Sequence, residues 1–437
     1  MSTGFLCIDS NAKARRTLDA GSRFVVFTIE SVVATNTTAC VINTANNFMT
    51  IFSTLIAAQT QNRSTELIPK NTEFDFIVVG GGSTGYVLAR RLSEVPSWNI
   101  FILEAGGKEP DIADIPGLYP FLRNTSMNWK YMTVPDNSSC NSVGYFWAGG
   151  KVLGRSSVLN AILGLQSLRG ARKNWTRLQI CDPILKKSED NNDIRKADFN
   201  GEQQGVVVTA VTAQYTLHKG KRWFTNNAFL KPVRYIRSNL KVVTNVRITK
   251  ILINSSSKKA YGVEYKMNNE LSSYYLATTK KEVILSAGAI NFPQILIISG
   301  IGPKTVLDYF DFGIALILDL KVRFNLLDHV TSSDVEFILN ENTQQIYLSI
   351  CCHQLDPWPQ PETNTKSINH PGGTCKMGPY NNTVPIVDPQ LKVYGIANLR
   401  VVDGSIMPVI PRGNINATTI MITKKGADMI KIKWQKS

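Results

Sequence analysis

Residues 74 to 104 read FDFIVVGGGSTGYVLARRLSEVPSWNIFILE, and no other stretch constrains the fold as tightly. An apolar run, Phe74 to Val79, feeds a glycine turn, Gly80-x-Gly82-x-x-Gly85. A helical segment with Val87, Leu88 and Leu92 in its apolar positions follows, and a second apolar run from Ile100 to Leu103 ends on Glu104, 19 residues after Gly85. Each part meets a need of a bound dinucleotide. Gly80 allows a tight turn, Gly82 lets the backbone approach a pyrophosphate, and Gly85 lets helix and strand pack closely. The helix N-terminus offers unpaired amides and partial positive charge to phosphates. A carboxylate at Glu104 can accept hydrogen bonds from ribose hydroxyls, which favours NAD or FAD over NADP.

The rest of the chain narrows the class. At 437 residues it can bury a large core and is expected to form two domains. No run reaches the roughly 18 apolar residues that span a bilayer. The net charge is +15, but the basic doublets Lys186-Lys187, Lys258-Lys259, Lys280-Lys281 and Lys424-Lys425 are scattered. With no zinc-finger spacing or aromatic run beside them, they read as a solvated basic surface and not as a nucleic-acid site. Seven cysteines include no metal-type C-x-x-C pair, so neither a disulfide framework nor a metal site is read, and Cys351-Cys352 are adjacent.

Residues 1–70, rich in Thr, Asn, Ala and Ser, show no sustained helical or strand period and read as a leader or disordered extension. Within them, residues 49–58 resemble the apolar region and cleavage site of a secretory signal, but internally and without a basic lead. Sequons stand at Asn36, Asn62, Asn124, Asn137, Asn174, Asn254, Asn381 and Asn416, which leans toward a secreted protein.

Four further motifs carry information. Residues 150–160 read GKVLGRSSVLN, a glycine- and serine-rich loop suited to packing its backbone on a flat cofactor. Residues 281–303 read KEVILSAGAINFPQILIISGIGP, a strand, a turn and a helix, as for another parallel strand aimed at the cofactor crevice. The C-terminal region gives NHPGGTCKMG at 369–378, LRVVDGSIMP at 399–408 and GNINATTIM at 413–421.

In combination these motifs resemble the glucose–methanol–choline family of FAD-dependent oxidoreductases, and within it the insect glucose-dehydrogenase-like members. The resemblance runs through residues 74–330 and 368–432. It implies an α/β fold: a Rossmann-type FAD-binding region over 71–330 with a substrate-domain insert around 176–240, a shortened remnant of that mainly antiparallel domain over 331–367, and a C-terminal region over 368–432. It also implies oxidation of a sugar or alcohol C–OH, with hydride passing to FAD and onward to oxygen or a quinone. The family's catalytic base falls on His370 and its partner on Asn414. A histidine, of ordinary pKa near ~6.5, suits proton abstraction at neutral pH, and a neutral amide can donate to a developing alkoxide. By the same mapping Gly80, Gly82, Gly85 and Glu104 hold the ADP half. Val152, Asn160 and Val246 line the flavin and adenine, and Asp403, Asn416 and Thr418 close over the pyrophosphate and ring. Of His218, His329, His353 and His370, only the last sits in a matching motif.

The pattern also breaks. Arg155 stands where the family has glycine, so a clash with FAD, or a new charge beside the isoalloxazine, is expected. Phe292 replaces a small hydroxyl residue, and Ala148-Gly149 stands where insect sequences carry Pro-Arg. Only 40 residues separate His329 from His370. That interval should supply much of the substrate domain, and its loss would expose apolar surface and strand edges. The alternative to an enzyme is therefore a truncated, non-catalytic flavin-binding or decayed paralogue.

Overall fold

The computed structural model describes residues 38–60, 72–135, 144, 146–162, 214–268, 273–310, 313–332, 365–380 and 385–435, with short strand segments at 15–17, 26–28, 176–177, 195–196 and 209–210. Two compact units result, Met1–Ala58 and Gln59–Ser437. The first carries an antiparallel pair, Arg15–Thr17 with Val26–Thr28, and most of helix α1, Thr38–Thr60. The signal-like run 49–58 lies inside this helix. A leader without regular structure was the expectation here, and the 23-residue helix departs from it. Among its described side chains, Phe52 and Ile56 are buried while Ile51 and Leu55 are exposed, so apolar residues are not confined to one face. Among the described residues no helix is long and apolar enough to cross a membrane.

The second unit is organised by one seven-stranded sheet. Strand β1, Glu73–Val79, leads through helix α2, Ser83–Leu92, to β2, Ile100–Leu103. The short helix α3 is Ser156–Leu159. There follow β3, Leu240–Val243; β4, Val246–Asn254; β5, Lys259–Met267; and β6, Tyr275–Leu285. Helix α4, Asn291–Ile298, strand β7, Leu399–Val401, and helix α5, Ile415–Gln435, complete the unit.

The parallel part has the order β3-β2-β1-β6-β7, while β4 and β5 extend β6 as an antiparallel meander. β6 serves both parts: Tyr275 to Thr278 pair with β5, and Val283 to Leu285 pair with β7 on the same side. Parallel strands covered on both faces need near-continuous apolar runs. The sequence supplies them in β1, buried from Phe74 to Val79, and in β2, buried throughout. Phe74 stacks on Phe101 at 4.5 Å, and Phe76 meets Trp98 at 5.0 Å. Phe292, the departure from a small residue, is fully buried in this core.

One buried ionic cluster ties the C-terminal helix to the sheet. Arg400 on β7 donates to Glu282 on β6 at 2.5 Å, and Lys433 and Trp434 on α5 reach the other carboxylate oxygen at 2.7 and 2.9 Å. Burial works against the Glu282 charge, but Arg400 and Lys433 outweigh it and hold the carboxyl below its usual range.

The strand order reverses between β1 and β6, which stay paired to their C-terminal ends, and such a switch point is where open α/β sheets bind ligands. Val79-Gly80 ends one strand and Leu285-Ser286-Ala287 ends the other. The strand-turn-helix reading of residues 281–303 is thus met, with β6 parallel to β1 and α4 following it.

Candidate functional site

Gly80 and Gly85 stand where the backbone leaves no room for a side chain. Gly80 has φ +109°, and a Cβ there would sit 2.5 Å from the Ser286 carbonyl oxygen. A Cβ on Gly85 would lie 1.9 Å from the Gly80 oxygen, so α2 packs on the turn only because that atom is missing. The first intrahelical bond of α2 runs from the Tyr86 amide to the Gly82 carbonyl, which leaves the Ser83, Thr84 and Gly85 amides without an intrahelical acceptor.

Glu104 ends β2 fully buried. It accepts from the Gly81 amide at 2.6 Å and the Gly106 amide at 2.8 Å. Its third donor is Arg155, whose Nε lies 2.8 Å away. The same guanidinium donates through Nη1 to the Ala287 carbonyl across the crevice. The Arg155 side chain is only 12% exposed. Burial disfavours its charge, but Glu104, through charge and hydrogen bond, more than restores it and holds the guanidinium above its ordinary value. Its backbone, φ 46° and ψ −132°, lies in a region natural to glycine and costly for arginine. The guanidinium therefore lies on Glu104 at the ADP end of the cradle, where a charge beside the isoalloxazine had been expected.

The remaining cofactor candidates surround this cradle. Val246 is buried at the start of β4 and its amide donates to the Glu104 carbonyl at 3.0 Å. Val152 is buried against the turn after β2, where a Cβ on Gly106 would come within 2.1 Å of its amide nitrogen. Asn416, on α5, accepts from the Ser83 hydroxyl at 2.8 Å and so ties the C-terminal helix to the start of α2. Thr418 follows on the same helix, half-buried. Two candidates are engaged elsewhere. Asn160 accepts from buried Arg222 at 2.9 Å and from the Ile162 amide at 3.1 Å. Asp403 receives the Gly288 amide and the Ser405 amide, each at 2.8 Å, and pins the turn after β6 to the segment after β7. Burial raises the Asp403 carboxyl above its usual range, against the hydrogen bonds from Ser405 and Gly288.

A second group of polar side chains gathers at the segment 328–370. His370 Nε2 lies 3.1 Å from Asn414 Nδ2, and its Nδ1 lies 2.9 Å from Nδ1 of His329. Asp328 fixes both histidine backbones, accepting from the His329 amide at 2.8 Å and the His370 amide at 2.7 Å. Ser367 donates to the other Asp328 oxygen. Burial, helped by His329, pushes the His370 imidazole down from 6.5 to about 4, so it is neutral at physiological pH. With Asn414 donating to Nε2, the one proton of the neutral ring belongs on Nδ1 and points at His329. The single lone pair of Nε2 is then engaged by the amide, and it becomes open to another hydroxyl proton only where Asn414 gives way.

The chain matches two family models, both described as GMC oxidoreductase, over residues 190–331 and 352–423. It belongs to the GMC oxidoreductases. Glucose dehydrogenase (FAD, quinone) of Drosophila pseudoobscura pseudoobscura is 27% identical over 548 residues, covering 83% of this chain and 87% of the relative. Human mitochondrial choline dehydrogenase is 26% identical, covering 82% and 90%. Among solved structures, pyridoxine 4-oxidase from Mesorbium loti superposes with a TM-score of 0.68 at 18% identity, over 83% of this chain and 99% of that one. A formate oxidase gives 0.66 at 19% identity, over 84% and 100%. At such identities the likeness speaks to the fold alone.

For a GMC oxidoreductase the cradle suits a dinucleotide in its glycines, its free amides and its ribose-facing carboxylate, with Arg155 as the one discordant side chain. Asp328 and His329 are members of the polar group that sequence reasoning passed over. His329 lies 41 positions from His370, and the antiparallel pair Val330–Ser332 with Thr365–Ser367, together with Asp328, brings the two together. Residues 333–364, most of the expected remnant at 331–367, and His353 with them, lie outside the described residues.

Proposed function

We propose that this chain is an FAD-dependent oxidoreductase of C–OH groups in sugars or alcohols, with His370 as the proton acceptor. FAD is the cofactor, held at its ADP half by the Gly80–Gly85 turn and Glu104, with Val246 and Val152 beside it and Asn416 and Thr418 closing from α5. When bound, FAD supplies the hydride acceptor. The chain's own part is to bind the alcohol against Nε2 of His370, take its hydroxyl proton there, and steady the developing oxyanion with the Asn414 amide. The observation that carries this reading is the neutral His370 imidazole with Asn414 Nδ2 3.1 Å from Nε2. His329 holds the ring's other nitrogen, at 2.9 Å, and so fixes the tautomer. The names of the relatives favour a quinone as final acceptor, and oxygen is the alternative.

The test is anaerobic mixing of FAD-loaded protein with candidate sugars and alcohols while flavin absorbance is followed. His370→Ala should slow flavin reduction at least ~10²-fold without releasing FAD. Reduction at the wild-type rate would move the base elsewhere.

A second reading, a flavin-binding paralogue without turnover, is favoured by one observation. The alignment with the Drosophila protein runs over 548 residues, whereas 83% of 437 is about 363, so the relative carries segments without counterparts here. The domain division that accompanies both readings is an FAD-binding region over 71–330, a remnant over 331–367 and a C-terminal region over 368–432. Secretion is part of the same proposal, on the strength of the sequons and the insect relatives.

A further inference from the structure

We propose that Arg155 is an internal occupant of the dinucleotide cradle, which holds the adenosine end shut until the cofactor displaces it. The inference rests on the cradle being the FAD site and concerns how that site is entered. Glu104 is fully buried and has three donors. Two of them, the Gly81 and Gly106 amides, belong to the turns on either side of the carboxylate and cannot leave without unfolding those turns. Among the described residues Arg155 is the one side-chain donor to Glu104, and it occupies Oε2 together with the Gly81 amide, so a ribose hydroxyl gains that oxygen by replacing it.

The guanidinium does more than neutralise Glu104. Its Nη1 bond to the Ala287 carbonyl carries it across the crevice between β2 and β6, over the turn that follows β1. Its Cδ lies so close to Gly82 that a Cβ on that glycine would come within 2.9 Å. The side chain thus covers the glycine whose bareness admits a pyrophosphate. A planar fork bridging a carboxylate and a carbonyl is a strong, directional closure. It is held by a backbone at φ 46° that glycine would adopt without strain. Glycine at 155 would open the cradle and relax the turn together.

The experiment titrates the purified, cofactor-stripped full chain with ADP and with FAD by calorimetry, for wild type, Arg155→Gly and Arg155→Lys. Far-UV dichroism and a thermal melt verify the fold of each. Arg155→Gly should bind both ligands at least about tenfold more tightly, the size expected when a ligand no longer has to replace a charge-assisted hydrogen bond. Arg155→Lys cannot bridge Glu104 and Ala287 together and should fall between, which keeps the test intact should the glycine variant fail to fold. Equal or weaker binding of ADP and FAD by the folded variants would overturn the proposal and show the guanidinium to be a phosphate ligand or a bystander. If no folded form bound either ligand, the assignment of the cradle itself would fall with it.

Discussion

As the proposed base, His370 would do two things that pull its pKa in opposite directions. A base must attract a proton, yet burial and the neighbouring His329 push this imidazole down to about 4. The consequence for turnover is a wide working range. The base is lost only when His370 is protonated, so flavin reduction should stay level from about pH 8 to 5 and fall as pH approaches about 4, where an unperturbed histidine would fail near ~6.5. Rapid-mixing measurements across that range would check it. His329→Ala removes one of the two causes of the depression, so the inflection should move upward. Asn414→Ala should cost a rate factor no larger than loss of the base. The same shift bears on stability. Between about 4 and 6.5 the unfolded chain binds a proton that the native site refuses, so stability is present above that window and drains away as pH falls through it. Fully developed, the loss is on the order of 3 kcal/mol, and urea titrations at pH 7 and 4.5 should show a large part of it in the wild type and little in His370→Ala.

Among the elements, the β1–α2–β2 unit was legible because each piece leaves a distinct mark: strands buried on both faces, glycines at forced positions, an acid at the second strand's end. β6 and α4 were legible for the same reason. The short β7 was read as motif and not as strand, since three residues carry no period of their own and Leu399 to Val401 are held by pairing with Val283 to Leu285. The contacts that matter most within the site left no local mark at all. Arg155 announced itself only as a misfit, and its bond to Glu104 spans 51 positions, decided by a backbone torsion that no pattern encodes. The Glu282 cluster is similar, joining β6, β7 and α5 from the far end of the chain. Replacing Glu282 by Gln leaves Arg400 buried without its counter-charge and loosens α5, which carries Asn416 and Thr418. A loss of about 3–5 kcal/mol is expected, measurable by denaturant unfolding, with FAD retention falling in parallel. The half-buried pair Arg91–Asp428, at 2.7 Å, joins the same helix to α2 within reach of solvent, and Asp428→Asn should change stability by only about 1 kcal/mol.

At the scale of the molecule, the parallel sheet and its cradle are complete among the described residues, and the cover on the proposed substrate side is the part we propose to be thin. Phe324, Leu326, Ile368 and Val409, which flank the Asp328–His370–Asn414 group in sequence, are exposed at 60%, 43%, 39% and 75%. Large apolar side chains left in water call for a covering partner, or lead to self-association, where they adjoin as one patch. His370 itself is buried, so water admitted past these side chains would reach the proposed oxyanion position beside Asn414 and weaken the electrostatic help proposed for that amide. Together with the proposed closure by Arg155 on Glu104, this reading predicts separate limits on cofactor affinity and on chemistry, and the two can be told apart. With saturating FAD the Arg155 closure is overcome, so any remaining defect belongs to the substrate side. Turnover on sugars and simple alcohols at saturating FAD and a quinone acceptor is expected below about 1 per second, under the range of ordinary enzymes. Arg155→Gly should raise FAD occupancy at low cofactor concentration without raising turnover at saturation. A well-folded wild-type chain turning over faster than that would refute the uncovered-site reading and show that the short interval between His329 and His370 suffices to enclose a substrate.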